Sequence, residues 1–170
     1  MKVDTTILYA ASRRTTLGEL VVVGSARGLR AIGLDDDGDA LRAELAARCA
    51  LGPDDALEGM ADAIAELVEG RDARRAIPLD VAGSPFQRRV WDALCTIPRG
   101  AVTTYAAIAR AIGAPAAVRA VGSACGQNPL AIVVPCHRVV RSDGGLGGYR
   151  WGLPRKAALL EREGARPAAL

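Results

Sequence analysis

The sequence predicts an α/β protein in two parts, a small α/β half followed by a mostly helical half. Apolar stretches around a glycine turn indicate paired strands near the N-terminus, and signals that start and stop helices recur at short intervals beyond Gly83. Half of the 170 residues are hydrophobic, which is enough to form a core. A chain of this length makes one large domain or two small ones, and we place a boundary between residues 1–83 and 84–170.

The N-terminal half shows strand patterns and then helix patterns. Residues 17–34 predict two strands around the turn Gly24–Gly28. Residues 35–50 change to a helical period, with three residues on one side: Leu41, Leu45 and Ala46. A second helix is predicted over Pro53–Gly70, which begins with acidic residues and ends on glycine. The segment before Gly83 is predicted as a strand or an extended linker. Because this half has no catalytic motif, we expect it to be a supporting scaffold.

The C-terminal half begins with a well-marked helix. Ser84 and Pro85 suit the N-cap and the first helical position. A core stripe follows at a spacing of four residues: Phe86, Val90 and Leu94. The segment Ile97–Gly100 ends this helix. A second helix is predicted from Thr104 to Ile112, with a stop at Gly113, and a third from Pro115 to Gly126. Two short helices joined by a turn have the outline of a helix-turn-helix, which ordinary helical hairpins share.

The third predicted helix has two different sides. At about 100° per residue, one side should face the core: Val118, Val121 and Cys125. The other side is small and nearly uncharged: Ala116, Arg119, Ala120 and Ser123. Such a surface would let another backbone approach closely, with Arg119 reaching into whatever lies there. A helix that is buried on both sides would show the same pattern, and the sequence alone does not separate the two.

Charge is distributed unevenly along the chain. Residues 1–80 carry a net charge of −5 and residues 81–170 a net charge of +8, which together give the overall +3. A basic half suggests a polyanionic partner. An arginine-rich codon bias without a binding role would produce the same asymmetry.

Cysteine usage and hydropathy limit the functional class. The four cysteines are widely spaced, without a C-x-x-C pair, which argues against a zinc site: Cys49, Cys95, Cys125 and Cys136. No run of 18 apolar residues predicts a membrane span, and the N-terminus lacks the pattern of a signal peptide. We therefore expect a cytoplasmic protein with reduced thiols.

The apolar run IVVPCHRVV, residues 132–140, predicts a buried strand, yet it contains Cys136, His137 and Arg138. His137 is the only histidine in the chain. Neighbours on an extended chain point to opposite faces, so His137 would assist Cys136 only through a water bridge or a bend, and Pro135 restricts that path. A free thiol is mostly protonated at neutral pH and needs such help to act as a nucleophile. An inert buried cysteine beside a hydrogen-bonded histidine has the same pattern.

The surrounding residues resemble the signature of the O6-alkylguanine-DNA alkyltransferases. Four features of this sequence match: Asn128-Pro129, Pro135-Cys136-His137-Arg138, Gly148-Tyr149, and a final helix with Lys156 and Glu163. The upstream segment SPFQRRVWDALCTIPRGAVTTYAAIARAIGAPAAVRAVGSACGQNP is similar to the same family almost element by element, so the resemblance covers about Ser84–Gly164. The segment GYRWG is most similar to the C-terminal domain of the bacterial adaptive-response methyltransferase, whose cysteine zinc cluster has no counterpart in this sequence.

The resemblance implies a ribonuclease-H-like α/β first domain and a winged-helix-like second domain with a helix-turn-helix. It also implies that Cys136 accepts the alkyl group, mainly methyl, from O6-alkylguanine, and from O4-alkylthymine, in double-stranded DNA. His137 would take the thiol proton through a water, and Glu163 would polarise His137. Asn128 would brace the turn before the site, and Tyr105 would hydrogen-bond the departing base or the nearby backbone.

The resemblance further implies a DNA surface and a base pocket. The third helix would lie in the minor groove, with Arg119 entering the base stack beside Ala120 and Ser123. The pocket would include four residues: Pro135, Val139, Tyr149 and Trp151. A thioether product has no carbonyl for water to attack, so the protein would react once, as a monomer and without a metal or other cofactor, for which no motif is present.

Three other functions remain compatible with parts of the sequence. A cysteine hydrolase would need a histidine across a cleft from Cys136, and there is no second histidine. A DNA-binding module without chemistry would lack the reactive cysteine. A methyl-accepting transcription regulator would need a metal-bearing domain. Within the family reading, Trp151 stands where many members have glycine, so we expect it to crowd the alkyl pocket against a benzyl group; packing on the last helix is the alternative.

Overall fold

The computed structural model of the protein describes residues 7–36, 42–43, 51–52, 55–72 and 76–165. The chain divides into two compact units, Met1–Ala82 and Gly83–Leu170. The positions on which the first predicted helix rests lie outside the described residues: Leu41, Leu45 and Ala46. Within the described part of the chain, no helix is both long enough and apolar enough to cross a membrane.

The first unit contains a sheet with the spatial order β3-β2-β1-β4. Its strands are β1 (Leu8–Thr15), β2 (Gly18–Ser25), β3 (Gly28–Asp35) and β4 (Leu51–Gly52). β2 pairs antiparallel with β1 and β3, and β1 pairs parallel with β4. The two strands predicted over residues 17–34 are β2 and β3 and are confirmed. The sequence pattern does not predict β1, because its short apolar start is followed by the polar residues Ser12, Arg13, Arg14 and Thr15.

Helix α1 (Asp55–Val68) packs against β1 and β2, within the predicted range Pro53–Gly70. Its buried residues follow the helical period: Leu57, Ala61, Ile64 and Val68. A Cβ on Gly24 would lie 2.8 Å from Leu57 Cδ1, so this glycine lets the helix close on β2. Farther along, Leu79 forms a parallel bridge with Leu29, and Leu29 N–H donates to Pro78 O at 2.8 Å. The segment before Gly83 is therefore extended.

The second unit begins with α2 (Pro85–Cys95), which starts with a capping box. Ser84 Oγ accepts from Gln87 N at 3.2 Å, and Gln87 Oε1 accepts from Ser84 N at 2.7 Å. Val90 and Leu94 are fully buried as predicted. Phe86 is only half-buried, and the third large apolar contact is made by Trp91, whose indole N–H donates to Ala124 O at 2.9 Å.

Helices α3 (Tyr105–Ala111) and α4 (Val118–Gly126) pack on each other and are joined by the turn 112–117. Thr104 caps α3, since its Oγ1 accepts from Ala107 N at 3.1 Å. The prediction that Pro115 begins the third helix is wrong. Pro115 instead occupies a turn closed by Ala117 N–H donating to Ala114 O at 2.8 Å, a position that proline favours. α4 starts after this turn.

The predicted buried strand over residues 132–140 is also wrong, although the run is almost entirely buried. Ile132 has a positive φ of 86°, which breaks the extended path. Pro135 (φ −80°, ψ 62°) forms an inverse γ-turn in which Cys136 N–H donates to Val134 O at 2.8 Å. A 3₁₀ turn follows at Cys136–Arg138.

Two short strands then place this turn beside α3. β6 (Val139–Val140) follows the 3₁₀ turn directly and pairs parallel with β5 (Thr103–Thr104), which precedes α3 directly. The last helix, α5 (Leu153–Arg162), starts after Gly152, whose φ is 89°. Its buried face consists of Lys156, Leu159 and Leu160. The 3₁₀ turn contacts α2 and α5.

The capping box gives a first prediction. Ser84→Ala removes the side-chain acceptor at the start of α2 and should lower the free energy of unfolding by about 1 kcal/mol, measured by urea denaturation. Ser84→Thr keeps the acceptor and should be nearly neutral. Equal losses for both variants would contradict the cap.

Candidate active site

Asn128 holds the segment that leads to the 3₁₀ turn. Its Nδ2 donates to Val134 O at 2.8 Å, and its Oδ1 accepts from Leu130 N at 2.9 Å. Asn128 is 2% exposed, so both bonds are shielded from water. The side chain therefore ties the end of α4 to the residues that immediately precede Pro135 and Cys136, which is the bracing position expected for it.

Cys136 opens onto a cavity of about 870 Å³. The lining comes from α3, α4, the loop 141–150 and the start of α5, and includes Tyr105, Cys125, Cys136, Tyr149 and Arg150. The volume falls within the range of small-molecule sites. Cys136 is itself 6% exposed, so its sulfur is reached through this cavity.

Glu163 organises the charged side of the 3₁₀ turn. Arg138 donates to both carboxylate oxygens, Nε to Oε2 and Nη2 to Oε1, each at 2.8 Å. A further donor of Arg138, Nη1, reaches Ile97 O at 2.6 Å. His137 Nε2 lies 3.0 Å from Glu163 Oε1. Because an ionised carboxylate only accepts, His137 carries its proton on Nε2 and leaves Nδ1 as an acceptor.

Burial and these contacts set the protonation states. Burial lowers the pKa of His137, although the Glu163 hydrogen bond and charge oppose it, so the ring is neutral at pH 7. Burial raises the pKa of the Cys136 thiol, against the opposing effects of the Asn128 hydrogen bond and the charges of Lys156 and Arg150. The resting site therefore pairs a protonated thiol with a neutral imidazole. Among the described residues, His137 Nδ1 is buried and has no hydrogen-bond partner.

Two tyrosines border the cavity. Burial raises the pKa of Tyr105 to about 12, with smaller contributions from Cys125 and Cys136, so its phenol stays a donor at neutral pH. The Tyr149 ring meets His137 edge-on at 6.4 Å between centroids. Within the described chain its hydroxyl is buried without a hydrogen-bond partner. Both rings are thus aimed at the space beside Cys136.

Three of the predicted pocket residues do not line this cavity. Pro135 and Val139 are buried in the turn and in β6 behind Cys136. Trp151 packs its ring edge-on against Tyr149, with 5.6 Å between centroids, instead of facing the cavity. The loop places Arg150, and not Trp151, at the cavity wall, because neighbouring positions on an irregular chain point in different directions. The geometry therefore does not support the expectation that Trp151 crowds a benzyl group by direct contact.

The outer face of α4 lies open to solvent. The four positions predicted for this face are all exposed, three of them on α4 and Ala116 in the turn before it: Ala116, Arg119, Ala120 and Ser123. Val121 and Cys125 are buried on the opposite side as expected, and Val118 is half-buried. The alternative of a helix buried on both sides is therefore wrong, and Arg119 is a cation on an open surface of small residues.

Two cations near the site, the partly buried Arg138 and the buried Lys156, were not assigned roles from the sequence. Arg138 binds Glu163, and Lys156, which is 0% exposed, donates to backbone carbonyls. The sequence does contain a signal for Lys156. Lys156, Leu159, Leu160 and Glu163 are spaced for one face of a helix, so the charges of Lys156 and Glu163 had to be buried with partners. Within the described residues, no group of three or more histidine, cysteine, aspartate or glutamate side chains is arranged to hold a metal ion.

The second unit is similar to proteins of a single family. Residues 85–165 match the family model described as 6-O-methylguanine DNA methyltransferase, DNA binding domain. A methylated-DNA–protein-cysteine methyltransferase of Mycobacterium tuberculosis is 49% identical over 114 residues, which cover 67% of this chain and 69% of that protein. The chain belongs to the methylated-DNA–protein-cysteine methyltransferase family. The resemblance seen in the sequence is thereby confirmed.

Similarity to this methyltransferase family extends to solved structures. The crystal structure of Mycobacterium tuberculosis OGT in complex with DNA superposes with a TM-score of 0.76 at 38% identity and covers 92% of each chain. The bifunctional transcriptional activator/DNA repair enzyme Ada of Escherichia coli is 51% identical over 154 residues, which are 86% of this chain and 43% of that protein. The chain thus spans about two-fifths of that relative's length. The mixed α/β class is confirmed; the ribonuclease-H-like and winged-helix-like forms stay predictions.

Glu163 gives the second prediction for this methyltransferase-family chain. Burial would raise the pKa of Glu163, but the hydrogen bonds and charges of His137 and Arg138 outweigh it and lower the pKa from 4.5 to about 2. A depressed pKa contributes stability above pH 4.5 that is lost as the pH falls towards 2. Glu163→Gln should therefore lower the free energy of unfolding by about 3 kcal/mol at pH 7.

Urea denaturation at several pH values checks this effect. The difference between wild type and Glu163→Gln should shrink steadily between pH 4.5 and pH 2. Glu161→Gln changes an exposed carboxylate on the same helix and serves as the matched control. A difference that does not depend on pH would show that the carboxylate charge is not the stabilising feature.

Proposed function

We propose that this protein repairs DNA by direct, irreversible and single-turnover transfer of an alkyl group, mainly methyl, from O6-alkylguanine to Cys136. O4-alkylthymine is proposed as a second substrate. The observation that carries the proposal is the Cys136 thiol at the wall of a cavity, next to a neutral His137 whose Nδ1 is an unpartnered acceptor within the described residues. Family membership supports the reaction class.

The proposed reaction is a displacement at an sp³ carbon. His137 Nδ1 takes the Cys136 proton through a water, and the thiolate sulfur attacks the alkyl carbon. The new S–C bond forms as the C–O bond to the base breaks, and the electron pair leaves with the guanine oxygen. Glu163 stabilises the imidazolium through Nε2–H. The thioether has no electrophilic carbonyl for water to attack, so Cys136 stays alkylated.

Tyr105 and Asn128 are proposed to assist this step. The phenol of Tyr105 stays protonated because burial raises its pKa to about 12, and it can donate a hydrogen bond to the departing base. Asn128 keeps the 3₁₀ turn in place through two backbone bonds. No resident cofactor or metal enters the reaction, because sulfur itself is the acceptor.

The DNA surface is proposed to be the outer face of α4, placed in the minor groove. Its small residues, Ala120 and Ser123, would allow the helix to approach the backbone closely, and Arg119 would fill the gap left by the flipped base. Extruding a base costs a few kcal/mol. The net charge of +8 over residues 81–170 supports phosphate contacts that offset part of this cost without reading sequence.

We further propose a monomer that works in the cytoplasm, with residues 1–83 as scaffold and 84–170 as the DNA-binding and alkyl-acceptor domain. The site residues named above come from one unit of one chain, so a single copy suffices. Cys95, Cys125 and Cys136 are free thiols, and thiols stay reduced in the cytoplasm. The ribonuclease-H-like and winged-helix-like forms of the two domains belong to the same proposal.

The third prediction concerns the alkyl acceptor. Incubation with duplex DNA that contains O6-methylguanine should add the mass of a single methyl group to the peptide with Cys136, and the amount should not exceed the amount of protein. Cys136→Ser should bind DNA and transfer nothing, while Cys95→Ser, which changes an exposed thiol, should react normally. Repeated turnover, or methyl on Cys125, would rule out the proposed acceptor.

The fourth prediction concerns Arg119. Arg119→Ala should slow methyl transfer from duplex DNA by about 10- to 100-fold, because part of the flipping free energy is lost. Reaction with free O6-alkylguanine base needs no flipping and should change little. Arg110→Ala removes an exposed cation from α3 and is the control. An equal loss on duplex and free base would show that Arg119 supports the fold.

A further inference from the structure

Lys156 is a fully buried cation that donates hydrogen bonds to three backbone carbonyl oxygens. The residue lies on α5 and is 0% exposed. Its Nζ donates to Val139 O at 2.6 Å, to Leu146 O, and to Gly148 O at 3.3 Å. A protonated lysine has three N–H donors, so these acceptors match its full donor set. Such a match is specific, because a neutral amine would leave a carbonyl unpartnered.

The three carbonyls belong to two parts of the candidate site. Val139 is the first residue of β6, directly after the 3₁₀ turn that carries Cys136. Leu146 and Gly148 lie in the loop 141–150 and both line the cavity. The Lys156 ammonium therefore joins α5, β6 and the cavity wall at one point.

The first half of the loop that forms this wall is held by its own hydrogen bonds, from Arg141 N–H to Gly145 O at 2.7 Å and from Gly144 N–H to Arg141 O at 3.1 Å. The loop contains four glycines within residues 144–148 and no helix or strand. Glycine loses more conformational freedom on ordering than any other residue. Two of these glycines have positive φ, Gly144 at 88° and Gly147 at 69°. Gly147 also packs against the Tyr105 ring so closely that a Cβ would meet its hydroxyl at 2.8 Å. The second half of the loop, at Leu146 and Gly148, is tied from outside by the Lys156 ammonium.

We propose that Lys156 is a positioning residue for alkyl transfer, whose ammonium clamps the Leu146 and Gly148 carbonyls to Val139 and so holds the cavity wall against the base. The proposal rests on the alkyl-transfer function proposed above. Lys156 does not touch the reacting atoms; it fixes the distance between the wall that would hold the guanine and the sulfur that attacks it. Small misplacements of this kind slow reactions steeply.

The protonation state agrees with this role. Burial lowers the pKa of Lys156 to about 8, while the nearby Cys136 and Cys125 sulfurs oppose the decrease. The amine is therefore mainly charged at pH 7. The same charge lowers the pKa of the Cys136 thiol, so an electrostatic effect on the sulfur is the competing explanation that an experiment has to separate.

The test uses the full chain with Lys156→Met, which keeps the length of the side chain but has no donor. Single-turnover methyl transfer is measured over a range of duplex concentrations, to separate the maximal rate from the half-saturating concentration. Alkylation of Cys136 by iodoacetamide is measured in parallel, because this small reagent needs no ordered wall. Arg155→Met removes the neighbouring cation on α5 as the matched control.

The clamp predicts a maximal transfer rate that falls by about 10- to 100-fold in Lys156→Met. The half-saturating DNA concentration should be unchanged, and the iodoacetamide rate should fall far less than the transfer rate, because only the effect of the Lys156 charge on the thiol is lost there. A fall of the iodoacetamide rate in step with the transfer rate would overturn the clamp in favour of a charge effect. An unchanged transfer rate would overturn both explanations.

If the methionine variant does not fold, Lys156→Arg provides a second test of the clamp. It retains the charge, but its planar fork cannot direct donors to three converging carbonyls as a compact ammonium does. The clamp predicts loss of transfer in this variant, and a charge effect predicts retention. Wild type separates the two proposals: absence of methyl transfer by wild type contradicts the proposed function, whereas transfer by wild type and both variants alike contradicts only the clamp.

Discussion

The carboxylate of Glu163 is the group on which the arrangement of the site depends. It stands at the C-terminal end of α5 and binds Arg138 through both oxygens and His137 through one. Arg138 continues to Ile97 O, just beyond α2. Removing one member would leave the others buried without a counter-charge, which is strongly destabilising. The contacts of Glu163 and Arg138 therefore tie α5 and α2 to the 3₁₀ turn. The same carboxylate fixes the tautomer of His137.

This tautomer decides how the cysteine can react. Because Nε2–H is committed to Glu163, Nδ1 is the nitrogen left to accept a proton from the cavity side. Burial keeps Cys136 protonated until such an acceptor takes the proton. A thiol is a poor nucleophile compared with the thiolate, so the resting sulfur reacts slowly until its proton is taken. If the transfer is single-turnover as proposed, this low reactivity limits loss of the acceptor to other electrophiles.

Local signals in the sequence predicted the parts of the fold that local chemistry decides. The capping residues Ser84 and Thr104 mark the true starts of α2 and α3. The run 132–140 shows where such reasoning ends. Its composition is that of a strand, but the positive φ of Ile132 and the γ-turn at Pro135 divert the chain, and Asn128 holds that path from outside the run. The burial of residues 132–140 could be predicted from their composition. The turn could not, because it depends on hydrogen bonds from Asn128, which lies outside the run.

The candidate site was likewise only partly predictable from the sequence. Cys136, His137 and Glu163 were identified by motif and meet in space, but the loop 141–150 has no periodicity from which to tell which of Arg150 and Trp151 faces the cavity. Helix α4 shows why the small residues matter. Its outer face is open, and its inner face lines the cavity through Gly122, Cys125 and Gly126. Apart from Arg119, α4 places small residues on its outer face and on the part that lines the cavity, so little more than its backbone separates the proposed DNA surface from the cavity. We infer that these small residues shorten the path of an extruded base from the stack to the Cys136 sulfur. The function would then limit the volume of the α4 side chains and not their charge.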